Sequence, residues 1–125
     1  MSDTNRSQTP LRIALVGPCA SGKSTLARSL KAAGYVVRQP AQEHSFAPDM
    51  WQRMSKPDVL IFLDVDYLHF QQRRPKSDGG PAYFAEQHRR LAHARKHCDF
   101  YLDTSPLSKG EVETAVYRFL QDNLS

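Results

Sequence analysis

Apolar residues in this chain fall into a few short continuous runs, separated by longer stretches in which they recur every three or four positions. Leu11 to Val16 and Val59-Leu60-Ile61-Phe62-Leu63-Asp64 are continuous runs, the pattern of strands buried on both faces. Tyr35 to Gln39 predicts another strand, stopped by Pro40, which has no N–H for a ladder, and Asp99 to Asp103 predicts a last one. The intervening stretches have helical spacing. Thr25 to Ala33 reads as a helix with Gly34 as its left-handed cap, and a short helix is expected over 49–54. Pro57-Asp58 breaks the chain before the strand at 59–64, and Asp66 can cap a helix from Tyr67 to about Arg73. Phe84, His88, Leu91 and Ala94 or Arg95 keep a helical period from Ala82 to about His97, with Pro81 at a permitted first-turn position. Ser108 and Glu111 have capping-box spacing and open a final helix striped by Val112, Ala115, Val116, Phe119 and Leu120. Strands alternating with helices predict an α/β fold: three α/β/α layers around a small, mostly parallel sheet of about four strands.

Length, charge and cysteine usage narrow this picture. A chain of 125 residues has room for one compact domain, expected over 11–125, with 1–10 a polar, disordered lead-in. There is no apolar run long enough to span a bilayer and no secretory hydrophobic segment, so a cytoplasmic protein without a membrane partner is expected. Cys19 and Cys98 are the only cysteines, which suits a reduced compartment, and no second Cys or His pair stands at zinc-ligand spacing. The formal net charge of +4 is local: residues 71–97 hold seven Lys or Arg against two acids. Such a block is more economically a partner for nucleotide phosphates than a face for nucleic acid. Its centre, Arg74 to Pro81, holds two glycines and two prolines, the composition of a mobile lid-like loop.

The candidate chemistry lies in Gly17-Pro18-Cys19-Ala20-Ser21-Gly22-Lys23-Ser24, followed by Thr25, directly after the first predicted strand. Glycine, four residues, then Gly-Lys-Ser is the pattern of a phosphate-binding P-loop. Its glycines let successive amide hydrogens turn inward around an anion. Lys23 supplies a mobile positive charge for the terminal phosphates of ATP, and Ser24 a hydroxyl for Mg²⁺. The following helix adds the positive end of its dipole. Strand, loop, lysine, hydroxyl and helix stand in the order that this chemistry requires.

Other motifs select among P-loop proteins. There is no guanine-reading Asn-Lys-x-Asp and no Asp-x-x-Gly after the 59–64 strand, which disfavours a GTPase. Leu63-Asp64 is followed by Val65 rather than by the glutamate with which many ATPases polarise water. From Leu11 to Leu120 the chain resembles the nucleoside and nucleotide kinase branch of the P-loop nucleoside triphosphate hydrolase superfamily. Residues 57–66 look like the strand that precedes the lid helix in thymidylate and deoxynucleoside kinases, and Gln72-Arg73-Arg74 stands where those families place lid arginines. Cys98 to Ser105, followed by Leu107-Ser108 and Glu111-Val112, is similar to their final strand and helix. The resemblance implies that Thr104, Ser105 and Pro106 lie against the adenine. The chain departs from the pattern in lacking the strand that ends in Asp-Arg between the second strand and Leu63-Asp64.

That gap leaves two carboxylates as candidates for the metal. If the second strand lies beside the first, Glu43 lands near the magnesium and the phosphate acceptor, where it can orient a metal-bound water or take a hydroxyl proton. Asp64 competes with it. Each also has an ordinary alternative, a solvated loop acid for Glu43 and a capping residue for Asp64. Phosphoryl transfer rests on positioning and charge neutralisation, which gives Arg73, Arg74, Arg89 and Arg90 a role in closing over the transferred group. His44, Phe46, Trp51 and Tyr83 are candidates to line the acceptor pocket, although Phe46 and Trp51 can equally fill the core. The expected activity is ATP-dependent, Mg²⁺-assisted phosphorylation of a small molecule. A nucleotide-binding regulator with little or no catalysis, and an ATPase that drives a partner, are the alternatives. The sequence names neither the acceptor nor the oligomeric state.

Overall fold

The computed structural model describes residues 11–74 and 79–124. The lead-in at 1–10 and the centre of the glycine-proline loop, including Pro75 and Lys76, lie outside the described residues. In chain order the elements are β1 (Arg12–Val16), α1 (Lys23–Ala32), β2 (Val36–Arg38), a 3₁₀ turn (Gln42–His44), α2 (Met50–Ser55), β3 (Val59–Asp64), α3 (Tyr67–Arg73), α4 (Gly80–His97), β4 (Phe100–Asp103) and α5 (Lys109–Leu124). All four strands are parallel, in the order β2-β1-β3-β4. The second strand therefore does lie beside the first.

The continuous apolar runs occupy the sheet's centre because each strand there must bury both faces. All six residues of β3 are buried, Asp64 included. On one face Ile13, Leu15, Ile61 and Leu63 meet Leu26 and Leu30 of α1 and Val112, Val116 and Leu120 of α5. On the other, Ala14, Val16, Leu60 and Phe62 meet Trp51 of α2 and Leu91 and Ala94 of α4. Side-chain alternation along each strand thus decides which helix it holds. β4 at the sheet edge alternates between half-buried and exposed positions, as a strand covered on one side should.

Local signals set the helix ends. Gly34, at φ +101°, completes a Schellman cap in which its own N–H reaches Lys31 O at 3.0 Å and Tyr35 N–H reaches Leu30 O at 3.1 Å. The capping box forms in both directions: Glu111 N–H donates to Ser108 Oγ at 3.1 Å and Ser108 N–H to Glu111 Oε1 at 2.8 Å. Asp66 accepts from His69 N–H at 2.8 Å at the start of α3. Two starts differ from expectation. α1 opens at Lys23, within the glycine-rich sequence, and α4 opens at Gly80 rather than Ala82, with Pro81 in the first turn as expected. Both shifts extend helix where orphan N–H groups need no intrahelical acceptor.

Candidate functional site

In a parallel sheet every strand ends on the same edge, and the loops leaving that edge share one space. Here these are the turn Gly17–Gly22 after β1, the 3₁₀ turn after β2, Asp64 at the end of β3 and Thr104–Ser108 after β4.

The Gly17–Gly22 turn is held by groups that leave it little freedom. Gly17 passes so close to β3 that a Cβ there would stand 1.9 Å from Leu63 O, and its φ of +153° is one that glycine favours. Ser21 N–H returns to Pro18 O at 3.3 Å, and Cys19 N–H donates to Gln87 Oε1 of α4 at 2.9 Å. Ala20 and Gly22 both take the left-handed conformation, with φ of +65° and +96°. No side chain caps α1 at Gly22, and the first backbone bond of the helix is Leu26 N–H to Gly22 O at 3.1 Å. The N–H groups of the first turn thus face the loop with no intrahelical acceptor.

Lys23 turns back across this loop. Its Nζ donates to Gly17 O and pairs with Glu43 Oε2 at 2.9 Å. Both side chains are nearly buried, 12% and 8% exposed, so solvent screens this pair far less than a surface pair. Glu43 reaches Lys23 because Gln42, fully buried, ties down the turn that carries it: Gln42 Nε2 donates to Ala47 O and Arg90 O, and its Oε1 accepts from Trp51 N–H. Glu43 Oε1 is buried with no hydrogen-bond partner among the described residues, as is Ser21 Oγ. Ser24 Oγ, beside them, donates to Gln39 Oε1 at 3.2 Å. Cys19, Lys23, Ser24 and Glu43 together line a recess of about 330 Å³.

Asp64 behaves differently from Glu43. Its Oδ1 accepts from Val65 N–H at 2.9 Å and lies 3.0 Å from His88 Nε2, while its Oδ2 accepts from Tyr101 OH at 2.6 Å. Burial pushes its pKa up, but the bonds from His88, Tyr101 and Val65 outweigh that, and it lies below its usual value. The same contact raises His88 against the opposing pull of burial. Burial first, then the bond to Asp64, pushes Tyr101 up to about 12. Of the two candidate carboxylates, Glu43 meets the lysine and Asp64 anchors α4 and β4 to the end of β3.

A second cleft, of about 320 Å³, opens on the other side of the loop. It shares Ala20, Ser21, Gly22 and Thr25 with the first recess and runs on to Leu26, Arg73, Thr104, Leu107, Ser108 and Val112. Arg73 closes it by donating to Ala20 O at 2.8 Å and to Thr104 Oγ1 and O at 3.2 and 2.9 Å. Thr104 is in turn fixed by Asp64 O, which accepts from its hydroxyl at 2.8 Å.

The remaining expected residues divide. Of Thr104, Ser105 and Pro106, only Thr104 lines this cleft: Ser105 Oγ is turned to Asp66 N–H at 2.8 Å, and Pro106 is exposed. Arg74 lies 6.0 Å from the centre of the Phe70 ring, and Arg89 is spent on Glu86 along the exposed side of α4, so neither stands with Arg73 at the loop. Arg90 also pairs with Glu86 and covers the Phe46 ring at 4.2 Å. The four residues named for an acceptor pocket do not converge. Trp51 is core and donates to His93, Phe46 is 84% exposed, and of the four only His44 lies by the loop, its Nε2 3.7 Å from Cys19 Sγ. Gln42, Gln87 and His88 were not singled out for these contacts. Gln87 was readable, because it stands one turn before Leu91 and two before Ala94 on the buried face of α4.

The unbonded first-turn amides of α1, an ammonium group and a hydroxyl beside a mainly apolar cleft can hold an elongated anion that carries a flat apolar group at one end. Comparison with protein-family models and with curated proteins finds no match for this chain.

Proposed function

We propose that this protein binds a nucleoside triphosphate, ATP in the first instance, and transfers its terminal phosphoryl group to a small acceptor. The observation that carries the reading is the pair of recesses sharing one wall, Ala20, Ser21, Gly22 and Thr25. One recess offers Lys23, Ser24 and the first-turn amides of α1 to phosphates, and the other offers Leu26, Leu107 and Val112 to a base. The glycine-rich turn between them reads as a P-loop.

The residues present fit a divalent cation. Glu43 Oε1 is a buried carboxylate oxygen without a partner among the described residues, and the Ser24 hydroxyl lines the same recess. Ser24 and Glu43 would hold Mg²⁺, which when bound supplies neutralisation of phosphate charge. Lys23 moves from Glu43 and Gly17 O onto the phosphate oxygens, exchanging one set of acceptors for a more highly charged one. With Oε1 given to the ion, the other Glu43 oxygen, Oε2, which Lys23 leaves, can take the proton of an acceptor hydroxyl. Arg73, joined to both Ala20 and Thr104, keeps the phosphate loop and the base cleft in register and places a cation beside the chain of phosphates. Transfer then depends on preorganised charge more than on covalent chemistry.

A binding module without transfer is the second reading, favoured by the full engagement of Asp64 with His88, Tyr101 and Val65, which leaves Glu43 alone of the two candidate carboxylates beside Lys23. Calorimetry with Mg-ATP separates binding from its absence, and labelled ATP with a panel of nucleosides, nucleotides and sugars separates transfer from binding. Wild type is expected to bind, and Lys23→Ala to lose at least about 100-fold in affinity, since the charge-assisted bonds of the ammonium are worth about 1.5–3 kcal/mol each. Unchanged affinity in Lys23→Ala would refute the nucleotide reading; binding without labelled product across the panel would select the module.

A further inference from the structure

The folded chain brings Cys19 beside two neighbouring side chains more than twenty residues further on, Glu43 and His44. Cys19 Sγ lies 3.7 Å from His44 Nε2, and His44 Nε2 lies 3.9 Å from Glu43 Oε2. One ligand atom from each falls within 4.8 Å of the other two. We propose that Cys19, Glu43 and His44 form a binding site for a thiophilic divalent transition-metal ion of the Zn²⁺ or Co²⁺ class, with its fourth position open to water.

Geometry and donor chemistry both favour this. With metal–sulfur bonds of about 2.3 Å and metal–nitrogen bonds of about 2.0–2.1 Å, neighbouring ligands of a tetrahedral site stand roughly 3.5 Å apart, close to the distances here. A thiolate and an imidazole select a borderline-soft ion over Mg²⁺, which asks for oxygen donors in an octahedron. A second observation, the one that also fits Mg²⁺ above, points to a ligand at this place: Glu43 is only 6% exposed, and its Oε1 has no partner among the described residues. A carboxylate accepts at about four lone-pair positions, so Glu43 can keep Lys23 on one oxygen while the other turns to the ion. Thiolate and carboxylate together offset the charge of the ion beside the ammonium. His44 is 45% exposed and gives the ion a path in from solvent. Coordination forms a metal–sulfur bond and displaces the thiol proton to solvent, so binding strengthens as pH rises.

The site shares Cys19 and Glu43 with the recess assigned above to phosphates, so the ion and a nucleotide would exclude each other, a consequence that rests on that assignment. The test is a titration of the purified chain with Co²⁺ alone, followed by a thiolate-to-cobalt absorption band, with Zn²⁺ as competitor. Wild type should take up one ion per chain with the band present. Cys19→Ser should remove the band, His44→Ala should weaken binding at least about tenfold, and Cys98→Ser should leave both unchanged. A band that survives in Cys19→Ser or vanishes in Cys98→Ser, or an absence of binding to wild type, would overturn the site. The second arm repeats the Mg-ATP titration with Zn²⁺ present. A weaker apparent affinity in wild type that Cys19→Ser relieves supports exclusion, and an affinity unmoved by Zn²⁺ overturns it. Absence of ATP binding with the cobalt band intact would refute the nucleotide reading alone.

Discussion

Single atoms decide whether the glycine-rich turn can lie against the sheet. Gly17 is the residue with least room: its missing Cβ would overlap Leu63 O at 1.9 Å, and that oxygen belongs to a central strand that cannot retreat. Gly22 meets nothing within 4 Å, so its glycine answers to φ alone. Gly17→Ala is therefore expected to cost about 1–3 kcal/mol or more, the range for overpacking a filled interior, read as a lower urea midpoint at unchanged m. A midpoint within error of wild type would mean that the turn is not pinned there. The Lys23–Glu43 pair is a residue-scale fact of the same kind. Neither spacing nor composition links positions 23 and 43; their distance of 2.9 Å follows from strand order and from the buried Gln42 that holds the second loop.

At the scale of elements, those that close their own hydrogen bonds were predictable and those that borrow partners were not. α5 begins where Ser108 and Glu111 say it should, because a capping box completes itself within four residues. Ser108→Ala should lower stability by about 1 kcal/mol, and Ser108→Gly by only a few tenths, measured by chemical denaturation. Equal losses in the two variants would show that the hydroxyl is not the cap. α4 shows the opposite case. Its period was legible, but its function in the fold depends on two polar residues facing inward: Gln87, which accepts from Cys19 N–H, and His88, which meets Asp64. Both are bonds across more than twenty residues, and the sequence records only the helical phase of the two residues. Ser105 and Pro106 failed to reach the cleft for a related reason, since Asp66 N–H claims Ser105 and turns the loop so that Leu107 and Ser108 reach the cleft in their place.

For the whole molecule, the Asp64–His88 contact couples stability to pH, because it ties α4 to the sheet. His88 has its pKa raised above the ordinary 6.5, chiefly by Asp64, so its contribution is complete below that value and is lost as pH rises through the raised one. Asp64 has its pKa lowered below 3.8, so its share is complete above 3.8 and is lost as pH falls through the lowered value. The pair accordingly stabilises fully between about pH 4 and 6.5. The melting temperature of wild type should exceed that of His88→Gln by most in this window, and the gap should narrow on the alkaline side. A gap constant from pH 5 to about pH 9 would dissociate the contact from stability. No helix among the described residues is long and apolar enough to cross a membrane.

By itself the sequence determined the kind and order of the elements, the parallel sheet and the loop of candidate chemistry, because each is written in residues that are neighbours along the chain or one turn apart. Caps, breakers and apolar period act over distances that a local pattern records. Tertiary structure alone decided which carboxylate faces Lys23, which arginine closes the cleft, and that a cysteine and a histidine with no ligand spacing between them stand 3.7 Å apart. Those facts depend on the strand order β2-β1-β3-β4, which sets the loops after β1 and β2 side by side. Strand order is fixed by how the buried faces of the helices share the sheet, a global packing balance that no local run of residues carries.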